Sequence, residues 1–111
     1  KYSKNLIFSY LNINSIRNKF ENVKEVISEN IDILIIAETK IDKSFPSAQF
    51  DIPGFHKPLR LDISDKSGGL LVYVRSYLLS RRLLKFKIPS DIQAIPFEVN
   101  MRKEKWVYFC F

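Results

Sequence analysis

Two short apolar runs enclose an amphipathic segment in the first 37 residues, and this order constrains the fold more than any other feature of the chain. The first run is Leu6–Leu11 and the second is Ile33–Ala37. Each predicts a strand covered on both faces and is far too short to cross a bilayer. Between them, apolar side chains recur at helical spacing from Ile16, which predicts a helix that ends near Asn30. Strand, helix and strand in this order predict a βαβ unit, whose two strands run in the same direction.

The remainder of the chain predicts a single α/β domain. Residues 39–66 are rich in Asp, Lys, Ser and Pro and indicate one long irregular loop, a kind of segment that is usually functional in compact domains. Further strands are predicted at 70–74, 83–88, 97–100 and 106–111. The chain starts without Met and stops within its last apolar run, so we expect residues 1–111 to be the N-terminal portion of one larger domain.

The composition narrows the chemistry that this chain can carry. With one cysteine, Cys110, and one histidine, His56, it has no internal disulfide partner and no set of Cys and His ligands for zinc. We therefore expect a reducing, intracellular compartment. The 18 Lys and Arg residues exceed the 12 Asp and Glu residues and give a net charge of +6, which weakly favours a polyanionic partner. No run of residues predicts a membrane span or a signal peptide, so we expect no membrane partner.

Two polar residues stand directly after the strands of the βαβ unit. Asn12 follows the first apolar run and Glu38 follows the second. Because parallel strands end at the same edge of a sheet, where ligands bind in open α/β folds, both side chains are expected at one edge. A carboxylate suits Mg²⁺, which also keeps waters and substrate phosphate as ligands. Polar residues are also routine where strands reach solvent, so this geometry by itself leaves both explanations open.

Three segments in collinear order carry a family resemblance. They are LNINSIRNK at 11–19, DILIIAETK at 32–40 and SGGLLVYVR at 67–75. The first two are similar to the strand ending in Asn and the strand ending in Glu-Thr of the endonuclease/exonuclease/phosphatase superfamily. The third resembles a Gly-rich strand of the endonuclease domain that precedes reverse transcriptase in non-LTR retrotransposons.

The resemblance implies an α/β fold that is about half of a four-layered α/β sandwich of the deoxyribonuclease I type. It implies that Asn12 and Glu38 are catalytic, that Asn12 orients catalytic groups, and that Glu38 binds Mg²⁺, with Mn²⁺ as a substitute. The implied activity is hydrolysis of DNA phosphodiesters, as in retrotransposon target-site nicking, with a nuclear location. The family's Asp-x-Asn and Ser-Asp-His motifs do not occur in these 111 residues. We therefore expect the chain alone to be inactive and to need the C-terminal half of the same domain as a partner.

Other residues near the same edge are candidates for substrate binding. Lys40 is predicted to contact DNA phosphate. Asn14 and Arg17 are predicted to bind substrate, although Asn14 is more simply an N-cap of the helix and Arg17 fits a local pair. His56 lies in a loop with Gly and Pro and is more simply a packing residue than a general base. Two alternative functions remain open: a phosphatase or lipid phosphodiesterase of the same superfamily, and a degenerate, non-catalytic remnant or binding module.

Overall fold

A computed structural model describes residues 6–27, 30–83, 88, 92–101 and 104–110. The elements follow in chain order as β1 (Phe8–Asn12), α1 (Phe20–Val26), β2 (Ile33–Ala37), a short 3-10 helix (Ser47–Phe50), β3 (Leu59–Leu61), β4 (Leu70–Val74), β5 (Leu79–Arg82), β6 (Ile95–Met101) and β7 (Glu104–Cys110). None of the helices in the described ranges has the length and apolar character that a bilayer crossing requires.

The first sheet contains the predicted βαβ unit. Its strand order is β1-β2-β4-β3, with β1 parallel to β2 and the remaining pairs antiparallel. The predicted strands at 33–37 and 70–74 are confirmed with the same bounds. Both strands lie inside the sheet and are covered on both faces, which explains their continuous apolar sequence.

The second sheet has the antiparallel order β5-β6-β7. The predicted hairpin is confirmed as β6 and β7, which are longer than expected. The strand that pairs with β6 is β5, Leu79–Arg82. The prediction of a strand at 83–88 is therefore wrong at its start, because Leu83 follows the end of β5. Residues 84–87 lie outside the described residues. Side chains in β5 alternate between exposed and half-buried, so the strand has no apolar run that would predict it from sequence. Its residue Arg81 forms an ion pair of 3.2 Å with buried Glu98 in β6.

Two apolar cores hold these layers together. Alternate residues of β2 face opposite ways, so that Leu34 and Ile36 belong to one core whereas Ile33 and Ala37 belong to the other. The first core packs the sheet against α1 and the long loop. The second core lies between the two sheets and includes Ile95, Phe97 and Val99 of β6. The described chain is thus a helical layer and two facing sheets.

Three local predictions need correction. The first strand is not covered on both faces, because β1 is the edge strand of its sheet and Tyr10 remains 61% exposed. The helix begins at Phe20 and not at Ile16, because Ile16 is buried and donates its backbone N–H to Thr39. The loop at 39–66 is not wholly irregular, because it contains the 3-10 helix and β3. Three-residue strands such as β3 carry too little periodicity to be read from sequence.

The phenol of Tyr73 provides a test of the first core. Its hydroxyl donates a hydrogen bond of 2.7 Å to the carbonyl of Phe50, and its ring meets Phe55 edge to face at 6.0 Å between centroids. Burial, and then the charge of Asp51, raises the pKa of Tyr73 well above its ordinary value. The folded state therefore favours the neutral phenol, whose stabilising effect is complete below the unfolded-state pKa of about 10 and is lost as the pH rises further.

We expect Tyr73→Phe to lower the free energy of unfolding by about 1–2 kcal/mol at pH 7, because it leaves a buried carbonyl unsatisfied. The variant should also lose less stability than the wild type between pH 9 and pH 11. Urea unfolding across this range measures both effects. Tyr10→Phe, at an exposed position, is the matched control and should change stability by less than about 0.5 kcal/mol. Equal alkaline sensitivity of Tyr73→Phe and the wild type would contradict the assignment.

Candidate functional site

The ends of several strands meet at one edge of the first sheet, which we call the rim. Asn12 pairs with Ala37 in the parallel register, and Ala37 pairs with Leu70 at the start of β4. Leu70 also pairs with Leu61 at the end of β3. The backbone pairing therefore agrees with the expectation that Asn12 and Glu38 lie at the same edge of the sheet.

Hydrogen bonds continue beyond the strands and fix the two rim loops to each other. The N–H of Ile13 donates to Ala37 at 3.0 Å, that of Ser15 to Glu38 at 2.8 Å, and that of Ile16 to Thr39 at 3.0 Å. The segment after Asn12 thus runs beside the segment that carries Glu38. As a result, the separation of the two candidate residues is set by backbone and does not depend on a ligand.

The chain turns sharply at 38–40, which we call the rim corner. Glu38 and Lys40 have φ angles of 58° and 55°, a left-handed conformation that is uncommon for residues other than glycine. Thr39 between them is fully buried. The N–H of Lys40 donates to Gly68 at 2.8 Å, which ties the corner to the loop before β4. Each such conformation costs about 1–3 kcal/mol and is found mainly at functional sites.

Gly69 is the contact point between the rim corner and β4. It has a φ of +105°, and a Cβ atom there would lie 2.1 Å from Oγ1 of Thr39. Its N–H donates to Oε1 of Gln93 at 3.0 Å, which links the rim to the segment before β6 in the second sheet. No sequence pattern marked Gln93, whereas Gly69 lies in a segment of the family resemblance.

Asn14 and Lys40 are brought together on the rim. The ammonium of Lys40 donates to Oδ1 of Asn14 at 2.5 Å. The prediction that Asn14 caps the helix is wrong, because Lys19 occupies the N-cap position and Asn14 has a left-handed φ of 49°. Lys19 instead donates its ammonium to the carbonyls of Ile13 and Asn14, each at 3.0 Å. Two lysines therefore converge on the loop that follows Asn12.

Arg17 extends this positive surface away from the strand ends. Its guanidinium donates to the carbonyl of Asp65 at 3.3 Å, so its described hydrogen bond is to backbone and not to a carboxylate. The side chain is exposed and is attached to the loop that leads into β4. Lys40 and Arg17 accordingly lie on different loops around the same rim.

The donor set at the rim fits a hard divalent cation. Glu38 is half-buried and Asn12 is exposed, and they offer carboxylate and amide oxygens. Within the described ranges, no three His, Cys, Asp or Glu side chains come together as a metal-binding group. A single carboxylate with waters and substrate phosphate is sufficient for Mg²⁺, which rarely has an all-protein cage. Among the residues described here, Glu38 and Asn12 are therefore suited to Mg²⁺ or Mn²⁺.

A cluster around Arg60 was not predicted from the sequence. Its Nε lies 2.9 and 3.0 Å from the two carboxylate oxygens of Asp62. Its other nitrogens donate to Oγ of Ser47 at 3.1 Å and to the carbonyl of Asp42 at 2.7 Å. We call this the Arg60 clasp, since it holds the loop at 42–47 against β3. Opposite charges two residues apart on a strand share a face, which is the signal that could have revealed the pair.

His56 lies away from the rim. Its backbone N–H donates to the carbonyl of Val74, the last residue of β4, at 2.8 Å. Its imidazole Nε2 lies 2.5 Å from the carbonyl of Leu78. The imidazole is half-buried at the opposite end of the sheet. This placement agrees with the interpretation of His56 as a packing residue.

Several solved chains are similar in fold to this one, two of them from NExo. The first is the 3′ phosphatase NExo from Neisseria bound to a product DNA hairpin, with a TM-score of 0.61 and 22% identity over 93% of this chain and 40% of that chain. The second is the 3′–5′ exonuclease NExo from Neisseria meningitidis, with a TM-score of 0.57 and 23% identity over 88% of this chain and 38% of that chain. No protein-family model and no curated protein sequence matches the chain.

These similarities confirm the predicted fold class. The chain has part of a deoxyribonuclease I-like α/β fold and spans about two-fifths of the length of the solved chains that it matches.

Proposed function

We propose that this chain supplies part of the active site of a metal-dependent DNA endonuclease of the endonuclease/exonuclease/phosphatase superfamily, of the type that nicks target DNA for non-LTR retrotransposons. The parallel register of β1 and β2 carries the proposal, because it sets Asn12 and Glu38 side by side at the rim of a deoxyribonuclease I-like sheet. A neighbour of this fold was solved with product DNA, and the net charge of +6 is compatible with a DNA partner.

The rim residues have distinct roles in this proposal. Glu38 and Asn12 would hold Mg²⁺ or Mn²⁺, and the bound ion would stabilise negative charge that develops on the phosphate. Asn12 also orients the groups around it through its amide. Lys40, held by Asn14, places a positive charge where a phosphate oxygen can accept its hydrogen bond, and Arg17 contacts the strand further along the rim.

The attacking water needs groups that these residues do not provide. The 111 residues contain neither the Asp-x-Asn nor the Ser-Asp-His motif that position and activate this water in the family. We propose that the C-terminal half of the same domain supplies them. The chain by itself then binds DNA and does not cleave it.

The proposal is tested with supercoiled plasmid and a polypeptide that continues past Phe111 through the remainder of the fold. We expect conversion to open circles in Mg²⁺, complete loss of nicking in EDTA, and recovery when Mg²⁺ or Mn²⁺ is restored. The chain of residues 1–111 serves as the control and should bind the plasmid without nicking it. Nicking that persists in EDTA would contradict the metal-dependent mechanism.

One observation favours a second candidate. The solved neighbour acts as a 3′ phosphatase and a 3′–5′ exonuclease, so processing of DNA 3′ ends is the alternative activity on this fold. A hairpin with a 3′ phosphate, assayed beside the plasmid and a phosphoinositide, separates end processing, nicking and lipid hydrolysis. DNA binding without hydrolysis of any of these substrates would favour a non-catalytic binding module.

A further inference from the structure

A groove of about 500 Å³ opens beside the rim on the far side of β4. One wall is the Lys43–Ser47 segment, and the other is the end of β3 together with Asp62. Leu61, the last residue of β3, pairs with Leu70, which also pairs with Ala37 just before Glu38. The groove and the candidate site therefore lie on the same edge of the sheet.

The walls of the groove are fixed before any ligand binds. The Arg60 clasp joins β3 to the loop at 42–47 by two hydrogen bonds, and the charge of Arg60 is offset by Asp62 at 2.9 Å. The turn itself is held by Asp42, whose carboxylate accepts hydrogen bonds from both the N–H and the hydroxyl of Ser44. These bonds, the hydroxyl first, lower the pKa of the Asp42 carboxyl below its ordinary value.

The lining combines apolar surface with one available cation. Phe45, Pro46 and Leu61 supply apolar surface, and Lys43 is exposed beside them. None of the described residues forms an ion pair with Lys43. An apolar wall next to a single ammonium is complementary to a nucleotide, because bases stack on aromatic side chains and lysine binds phosphate.

The spacing along the rim relates the groove to the scissile phosphate. β2 and β3 are separated by β4, which is two strand spacings or about 10 Å. A nucleotide in the groove is then only a few positions from the phosphate at Glu38.

We infer that this groove binds one nucleotide of the substrate DNA strand, with its base against Phe45 and Pro46 and its phosphate on Lys43. The inference rests on the proposed function, since it assumes that DNA lies along the rim. It adds a second DNA-binding subsite, and the position of this subsite sets the distance between the bound nucleotide and the cleavage point.

Lys43→Ala tests the phosphate contact, and Lys57→Ala is the matched control. Both lysines are exposed, but Lys57 precedes β3 at the end of the sheet opposite the rim. With the 111-residue chain and a fluorescein-labelled DNA hairpin, we expect Lys43→Ala to weaken binding about tenfold. It should also reduce the slope of log K against log salt by about 1, as loss of one phosphate contact requires. Lys57→Ala should change affinity less than twofold.

The base contact is tested by photocrosslinking with 5-iodouracil placed at successive positions of the hairpin strand. We expect a crosslink to Phe45 from one or two adjacent positions, found in the tryptic peptide that spans residues 44–60, because Lys57 is followed by Pro58 and is not cut. Equal affinities of the two lysine variants together with a crosslink elsewhere would overturn the subsite while leaving DNA binding at the rim intact. Failure of the wild-type chain to bind the hairpin would overturn the proposed function itself.

Discussion

Gly69→Ala should lower the free energy of unfolding by about 2–6 kcal/mol and disrupt the rim. An alanine at a φ of +105° is strained by about 1–3 kcal/mol, and its Cβ would lie 2.1 Å from Oγ1 of buried Thr39. Overpacking of this kind adds about 1–3 kcal/mol. Urea unfolding of the 111-residue chain measures the loss, and binding of the DNA hairpin reports the state of the rim.

Two further variants separate backbone strain from collision. Gly54→Ala has a comparable φ of +89°, but its Cβ would meet only the end of the Arg75 side chain at 3.1 Å, so it should show mainly the strain. In Gly69→Ala combined with Thr39→Ala, the colliding hydroxyl is absent. The double variant should therefore lose at least about 1 kcal/mol less than the sum of the single variants. Additive losses would show that the collision is relieved by other movements.

Glu38→Gln should reduce DNA nicking by the longer polypeptide at least about 100-fold. The substitution preserves the shape of the side chain and removes the only charge that the rim corner offers to a cation. Metal-assisted charge stabilisation is worth several kcal/mol, and each 1.36 kcal/mol changes the rate about tenfold. Nicking rates at saturating Mg²⁺ and DNA measure the effect.

The control for this loss is Glu25→Gln on the exposed face of α1, which should nick at the wild-type rate. DNA binding by Glu38→Gln should not weaken, because the variant has one negative charge fewer near the phosphates. A nicking rate within about twofold of the wild type would show that the carboxylate of Glu38 is dispensable.

The parts of the fold that the sequence predicted well are those whose burial follows from local pattern. β2 and β4 are covered on both faces, so their apolar runs have the same bounds as the strands. The parallel direction of β1 and β2 follows from the helix between them. This was enough to place Asn12 and Glu38 at one edge, since only strand direction and strand ends were needed.

What the sequence could not predict depends on contacts between distant residues. β5 has an alternating, half-exposed pattern, and its pairing partner lies in β6. Ile16 donates its backbone N–H to Thr39 of the neighbouring segment and the helix begins only at Phe20, so the helix cap predicted at Asn14 does not form. The Arg60 clasp requires β3 to meet a loop whose contacting residues lie 13 to 18 positions earlier in the chain.

The three residues of the rim corner, 38–40, have two different structural roles. Thr39 is fully buried against the sheet, whereas Glu38 and Lys40 are only half-buried and keep part of their side chains at the surface. Related chains could therefore exchange or lose the chemistry at 38 and 40 while the architecture survives. Since both positions have left-handed φ angles, the replacements that persist should be Asn, Asp or Gly and not β-branched residues. A fold of this kind can retain the form of an active site long after its activity has gone.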